Sequence, residues 1–182
     1  NEGQLLAPEA LEGHYDPHVW MDPARWALTV DVIAEELSKA DPAGATGFRE
    51  RAAAYKQELT KLDAYAQRVL ASVHEERRAL VTAHDAFNYL GARYGYEVVG
   101  IQGISTESEA GVAHIEGLVS LLVERQIPAV FIETTVADRN IKALIAGAAA
   151  QGHEVVIGGE LFSDAMGAEG TYEGTYVGMI DH

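Results

Sequence analysis

FRERAAAYKQELTKLDAYAQRVLASV, the stretch from Phe48 to Val73, decides how this chain is laid out. Phe48, Ala52, Tyr55, Leu59, Leu62, Ala66, Val69 and Val73 recur in steps of four and three, a helical seam sustained for nearly four heptads. Gly44 and Gly47 precede it and Glu75-Glu76-Arg77-Arg78 follows it. A helix of roughly 30 residues would be about 45 Å long, enough to cross a small domain or to join two. Arg49, Glu50, Lys56, Glu58, Lys61, Asp63 and Arg68 occupy its other faces, so it cannot span a bilayer. Two readings of the seam stay open: a coiled-coil dimer, or packing along the body of its own protein. The second is the commoner arrangement.

The two sides of this helix differ in style. On the amino-terminal side, residues 1–15 show no period and read as an extended arm. Asp16-Pro17-His18-Val19-Trp20-Met21-Asp22-Pro23 follows, with Asp22 as N-cap and Pro23 at the first helical position. A helix is predicted from Ala24 to Lys39, with Trp26, Val30, Ile33 and Leu37 on one face. On the carboxyl-terminal side, apolar runs alternate with helices. Strands are predicted at Ala79–Thr82, Glu97–Ile101, Ala129–Ile132 and Glu154–Ile157. Helices are predicted at Asp85–Tyr94, ended by Gly95, at Val112–Gln126, and at Asn140–Ala150, ended by Gly152. Uniformly apolar strands between helices imply a parallel sheet covered on both faces. The fold class is therefore α/β: a four-stranded parallel sheet flanked by helices, preceded by a long connecting helix. The divisions fall at residues 1–43, 44–77 and 78–182.

Composition narrows the function. The chain has 182 residues, 48% of them hydrophobic, and a net charge of −15. Nucleic acid is excluded as a partner, because phosphates need a basic face. A negative field raises the local concentration of cations, though acidity more often serves solubility. The absence of cysteine removes disulfides and thiolate metal sites. The chain starts without methionine and stops at Ile180-Asp181-His182, in mid-pattern. Both ends read as those of a piece of a longer protein.

In an open parallel sheet, ligands bind beyond the carboxyl ends of the strands. His84 follows the first strand and is expected to open the next helix, whose positive end disfavours imidazolium. Glu133 ends the third strand, and Asp164 follows the fourth. His18 lies far off in sequence, in a Pro-flanked turn. Two imidazoles and a carboxylate suit Zn2+, Mn2+ or Fe2+.

The motifs carry a resemblance as well. Asp16-Pro17-His18-Val19-Trp20-Met21-Asp22-Pro23 resembles the DPHxWxDP signature of the cluster A-I metal receptors of ABC importers. Val81-Thr82-Ala83-His84-Asp85-Ala86-Phe87, Gly103-Ile104-Ser105-Thr106-Glu107, Phe131-Ile132-Glu133-Thr134 and Gly158–Gly167 are similar to further motifs of that family, in order along nearly the whole chain. The last of these, with Glu173–Met179, is nearest the TroA-type zinc/manganese receptors.

The resemblance implies two α/β lobes joined by one rigid helix, with the metal in the cleft between them. Residues 1–43 would be the remnant of the N-terminal lobe, 44–77 the connecting helix and 78–182 the C-terminal lobe. It implies His18, His84 and Asp164 as metal ligands, and Glu133 as a residue that orients one of them. Where the family uses His or Glu, His84 leans toward a zinc-capable site. The family's first histidine ligand would lie before Asn1. A three-ligand site with one ligand on an unsupported segment is expected to bind more weakly.

The implied function is an extracytoplasmic solute-binding protein, in the periplasm or on the outer face of the membrane. It would capture Zn2+ or Mn2+ and deliver it to an ABC permease, making and breaking no bond. A surface adhesin of the same family and a zinc-dependent hydrolase are the alternatives, but no HExxH or nucleophile motif supports the hydrolase. Apolar faces left uncovered on both early helices predict self-association, as a dimer or domain swap. His14, His74, His114, His153 and His182 read as surface or satisfied histidines, and Trp20 and Trp26 as packing. Gly158-Gly159 lacks the Lys-Ser/Thr of a phosphate loop. Glu107 and Glu109 read as a solvated loop rather than an acid-base pair.

Overall fold

The N-cap predicted at Asp22 is in place. Its carboxylate accepts the amides of Ala24 (2.9 Å) and Arg25 (3.2 Å), and Pro23 begins the helix. The computed structural model describes residues 5–8, 11, 13–106 and 111–182. After a 3-10 turn at Val19–Met21 come α1 (Pro23–Ala40) and α2 (Ala45–Leu70), which pack side by side. A second 3-10 turn at Glu75–Arg77 leads into β1 (Ala79–His84), α3 (Asn88–Tyr94), β2 (Glu97–Gln102), α4 (Val112–Glu124), β3 (Ala129–Glu133), α5 (Arg139–Ala150), β4 (Val156–Leu161) and α6 (Tyr176–Asp181). No described helix is long and apolar enough to cross a membrane.

The α/β class holds, and the expected single sheet takes the form of two parallel pairs. β1 pairs with β2, and β3 with β4. β1 and β3 lie next to each other without a ladder between them. At their carboxyl ends side chains take the partners that a ladder would use. The His84 amide donates to Glu133 Oε1 (2.8 Å), and the Thr82 hydroxyl donates to the His84 carbonyl (2.8 Å). On one face of the strands, Leu118 and Leu122 of α4 and Ile141 and Leu144 of α5 bury against Val81, Ile101 and Val130. Each such side chain contributes roughly 1.5–3 kcal/mol on burial.

Several boundaries differ from those predicted. α2 has 26 residues and stops at Leu70, short of Val73. Arg78 folds back there and donates to the carbonyls of Val73 (2.8 Å) and Ala71 (3.2 Å), which a longer helix would have used itself. α3 starts at Asn88, not Asp85, because β1 runs on through His84 in register with Gln102. Gly95 closes α3 in the left-handed region, as its position predicts. β4 continues through Gly158-Gly159 to Leu161, so the glycine pair belongs to a strand and not to a phosphate loop. The Phe131 ring lies where a Cβ on Gly158 would stand, within 2.9 Å of it. The sequence names no helix at Tyr176–Asp181. Thr175 caps one there, its hydroxyl accepting the Gly178 amide (3.0 Å).

The seam of α2 is covered along its middle by its own protein. Leu59 and Leu62 bury against Tyr176 and Met179 of α6, while Val69 stays 47% exposed. The 3-10 turn is anchored by Met21, which packs with Ala86, Phe87 and Tyr89. The segment ahead of α1 thus leans on the α/β lobe.

Candidate metal centre

His84 is the last residue of β1 and Glu133 the last of β3, so the topology brings both to the same edge. Glu133 holds His84 twice. Oε1 accepts the backbone amide, and Oε2 lies 2.5 Å from Nδ1 of the ring. Both residues are buried. The remaining ring nitrogen, Nε2, is buried without a hydrogen-bond partner among the described residues. Asp164 Oδ2 is 3.4 Å away, where the two groups attract without a formed hydrogen bond. A buried polar atom left unbonded is costly, and it marks a position suited to a ligand.

His18 reaches the same point from the other end of the chain. Pro17 precedes it, and the Asp16 carboxylate accepts the His18 amide (2.9 Å), closing a tight turn. The same Oδ1 lies 2.7 Å from His18 Nδ1, and His18 Nε2 faces Asp164 Oδ1 at 3.4 Å. The turn is braced on both sides by the lobe. Tyr89 donates to the Asp16 carbonyl (2.9 Å), and the Trp20 indole donates to the Ser163 carbonyl (3.0 Å). The segment expected to be unsupported is therefore supported.

Asp164 sits in the loop after β4, its side chain 38% exposed. Its neighbour Ser163 is buried, with its hydroxyl 3.0 Å from that of Thr135 and its carbonyl held by Trp20. Nitrogens of His18 and His84 and an oxygen of Asp164 all lie within 4.8 Å of one another. The two imidazole rings are 5.4 Å apart between centroids and inclined at 70°. Two buried neutral-capable nitrogens and one half-exposed carboxylate form a donor set for a divalent transition metal.

The electrostatics differ from the sequence reading in one respect. Burial alone would push the His84 ring down, but the hydrogen bond and charge of Glu133, with the charge of Asp164, outweigh it and raise the ring above its ordinary value. A helix N-terminus was expected to disfavour imidazolium here. α3 begins four residues on, and the carboxylates dominate instead. At Asp16, burial pushes the carboxyl up, yet hydrogen bonds from His18 and Asn88 together hold it below its usual value. Burial raises the neighbouring Asp85 carboxyl.

The sequence alone does not single out Asp16 as the partner of His18, nor Asn88 as the partner of Asp16. The short spacing Asp16-Pro17-His18 is a signal for a carboxylate folding back on its own turn; nothing local points to Asn88. Trp20 is packing, edge-on to His18 at 5.3 Å, and also a hydrogen-bond donor. Trp26 stacks on Tyr176 at 5.6 Å. His14, His74, His114 and His182 are exposed, and His153 Nε2 is 2.7 Å from the Ile127 carbonyl. Glu107 and Glu109 lie outside the described residues.

Comparison with known proteins bears on this arrangement. The family described as zinc-uptake complex component A, periplasmic (ZnuA), matches residues 3–182. The zinc-binding protein TroA of Treponema pallidum is 50% identical over 171 residues, covering 94% of this chain and 56% of that protein. The manganese-binding lipoprotein MntA of Bacillus subtilis is 49% identical over 177 residues, covering 97% of this chain and 58% of that protein. The solved structure of the periplasmic zinc-binding protein TroA from Treponema pallidum superposes with a TM-score of 0.96 at 48% identity, over all of this chain and 65% of that one. The chain thus spans a little over half the length of the curated relatives it matches, 56% and 58% for these two.

Proposed function

Because the chain belongs to the ZnuA family of periplasmic zinc-uptake components, we propose that it is part of a receptor that captures a divalent transition metal, Zn2+ or Mn2+, and passes it to the permease of an ABC importer. Capture takes place outside the cytoplasmic membrane. His18, His84 and Asp164 are the ligands that this chain supplies. Glu133 orients His84. The observation that carries the reading is the convergence of these three residues from separate elements, around a buried His84 nitrogen with no hydrogen-bond partner among the described residues. The metal is cargo: it is ligated and released, and no covalent bond is made or broken. Neither the hydrolase nor the adhesin reading is favoured by the family or by the relatives' descriptions.

Each ligand must present a lone pair, so the histidines bind metal only when neutral. In a given set of nitrogen and oxygen donors, zinc is held more tightly than manganese, and which metal is carried in the cell follows geometry and availability. Residues 1–43 belong to one lobe of the receptor, 44–77 form the connecting helix and 78–182 form the other lobe. Packing of α1 along α2, and of α2 against α6, supports that division. The exposed apolar face of α1 supports self-association of the chain as given.

The test is zinc and manganese affinity of this chain beside His84→Ala and Asp164→Ala. Stoichiometric binding that both substitutions weaken upholds the reading. A site indifferent to both overturns the ligand assignment.

A further inference from the structure

The two histidines of the cluster are held in matching ways, and only one of the two carboxylates responsible has a role so far. Glu133 stands behind His84. Behind His18 stands Asp16, 2% exposed and itself fully engaged. Asp16 Oδ1 accepts the His18 amide at 2.9 Å and lies 2.7 Å from the ring Nδ1. Its Oδ2 accepts the side-chain amide of Asn88 at 3.2 Å, its carbonyl accepts the Tyr89 hydroxyl, and its own amide donates to the Leu6 carbonyl. The carboxylate plane is thus fixed from α3, the helix that follows His84 in the chain.

We infer that Asp16 is the positioning residue of His18: its carboxylate keeps the ring in the Nδ1–H form, with the Nε2 lone pair turned toward His84 and Asp164. Asn88 acts one step further out by fixing the carboxylate. An ionised carboxylate at Nδ1 accepts a proton and cannot donate one, so the neutral ring must carry its hydrogen there. A ligating histidine held in this way has its orientation set, and loss of such a partner weakens metal binding by about 10–100-fold. The consequence for binding deepens the metal reading and rests on it. The tautomer does not.

The experiment uses the full chain labelled with 15N-histidine, without metal, at a pH where the rings are neutral. Two-bond proton–nitrogen correlations report which nitrogen of each ring carries hydrogen. In the native chain both His18 and His84 should be Nδ1–H. In Asp16→Ala, His18 should move toward the Nε2–H form that free imidazole side chains prefer, while His84 stays Nδ1–H and certifies the fold. Zinc affinity should fall about 10–100-fold. In Asp16→Asn the amide oxygen still accepts from Nδ1, so the tautomer should persist and most of the affinity should return. A native His18 in the Nε2–H form overturns the inference, whether or not the alanine variant folds. So does an unchanged His18 tautomer in a folded Asp16→Ala. Expected tautomers in a chain that binds no zinc would sink the metal reading and leave the positioning role standing. Zinc binding with a reversed tautomer would do the opposite.

Discussion

His84 has a carboxylate on either side of its ring, Glu133 at Nδ1 and Asp164 near Nε2. Before metal arrives, these carboxylates favour the protonated ring and raise its pKa above the ordinary 6.5. In the metal-free chain, protonated His84 therefore stabilises the fold fully below its unfolded pKa, and that contribution is lost as pH rises through the raised folded value. Metal binding has the opposite sign, since zinc must displace that proton. Zinc affinity should begin to fall at a higher pH than an ordinary imidazole would give, and should keep falling as the medium is acidified. In Glu133→Gln the onset should move to lower pH while the affinity at high pH drops about 10–100-fold, the cost of losing an orienting carboxylate. Competition titrations with a zinc chelator across the range would show both effects, and an onset that Glu133→Gln leaves in place would contradict the assignment. The ligand-type residues were legible in the sequence because each sits in a short motif or at a strand end. Asn88 and Tyr89 were not, because their partner Asp16 lies more than seventy positions away and only the packed structure brings them together.

Among the elements, α2 was read most clearly and still incompletely. Its period marks an apolar face, but period alone cannot say how far along the helix that face is covered. Leu59, at 1% exposure, meets α6, a helix of six residues that is too short to leave a periodic signal. Leu59→Ala should cost about 2–5 kcal/mol of stability in urea unfolding, because a buried leucine leaves a cavity. Val69→Ala, on the same seam but 47% exposed, should change stability by no more than about 0.5 kcal/mol. Equal losses at the two positions would mean that the seam is covered along its whole length. The start of α1 was legible in full, because a cap is a local device. Asp22→Ala should lose about 0.5–2 kcal/mol, toward the upper end since Asp22 also pairs with Arg25. The division of the sheet into two pairs could not be read from the sequence. Strand signals are local, whereas the contact that occupies the end of β1 joins His84 to Glu133, forty-nine positions apart.

At the scale of the whole molecule two forces oppose each other on association. α1 exposes Leu28, Val32, Ile33 and Leu37, between 44% and 61% each, on a helix whose other side packs on α2. Full burial of such a side chain contributes about 1.5–3 kcal/mol, so half-exposed ones offer roughly half of that each, some 3–6 kcal/mol for one patch and about 6–12 kcal/mol for the two patches that meet in a dimer. Bringing two chains together costs about 4–15 kcal/mol in lost freedom, which places this patch near break-even. Each copy also carries a net charge of −15, so two copies repel at long range. The Debye length falls from about 30 Å at 0.01 M salt to about 3 Å at 1 M, and added salt removes that repulsion while leaving apolar contacts in place. The chain should therefore form a weak dimer whose population in sedimentation velocity rises with both protein concentration and salt. Val32→Lys with Ile33→Lys should return it to monomer at every salt concentration without loss of zinc stoichiometry, because both residues are exposed on α1 and neither belongs to the His18–His84–Asp164 cluster. A dimer that salt dissociates would mean that ion pairs hold it and that the apolar face of α1 is not the surface involved.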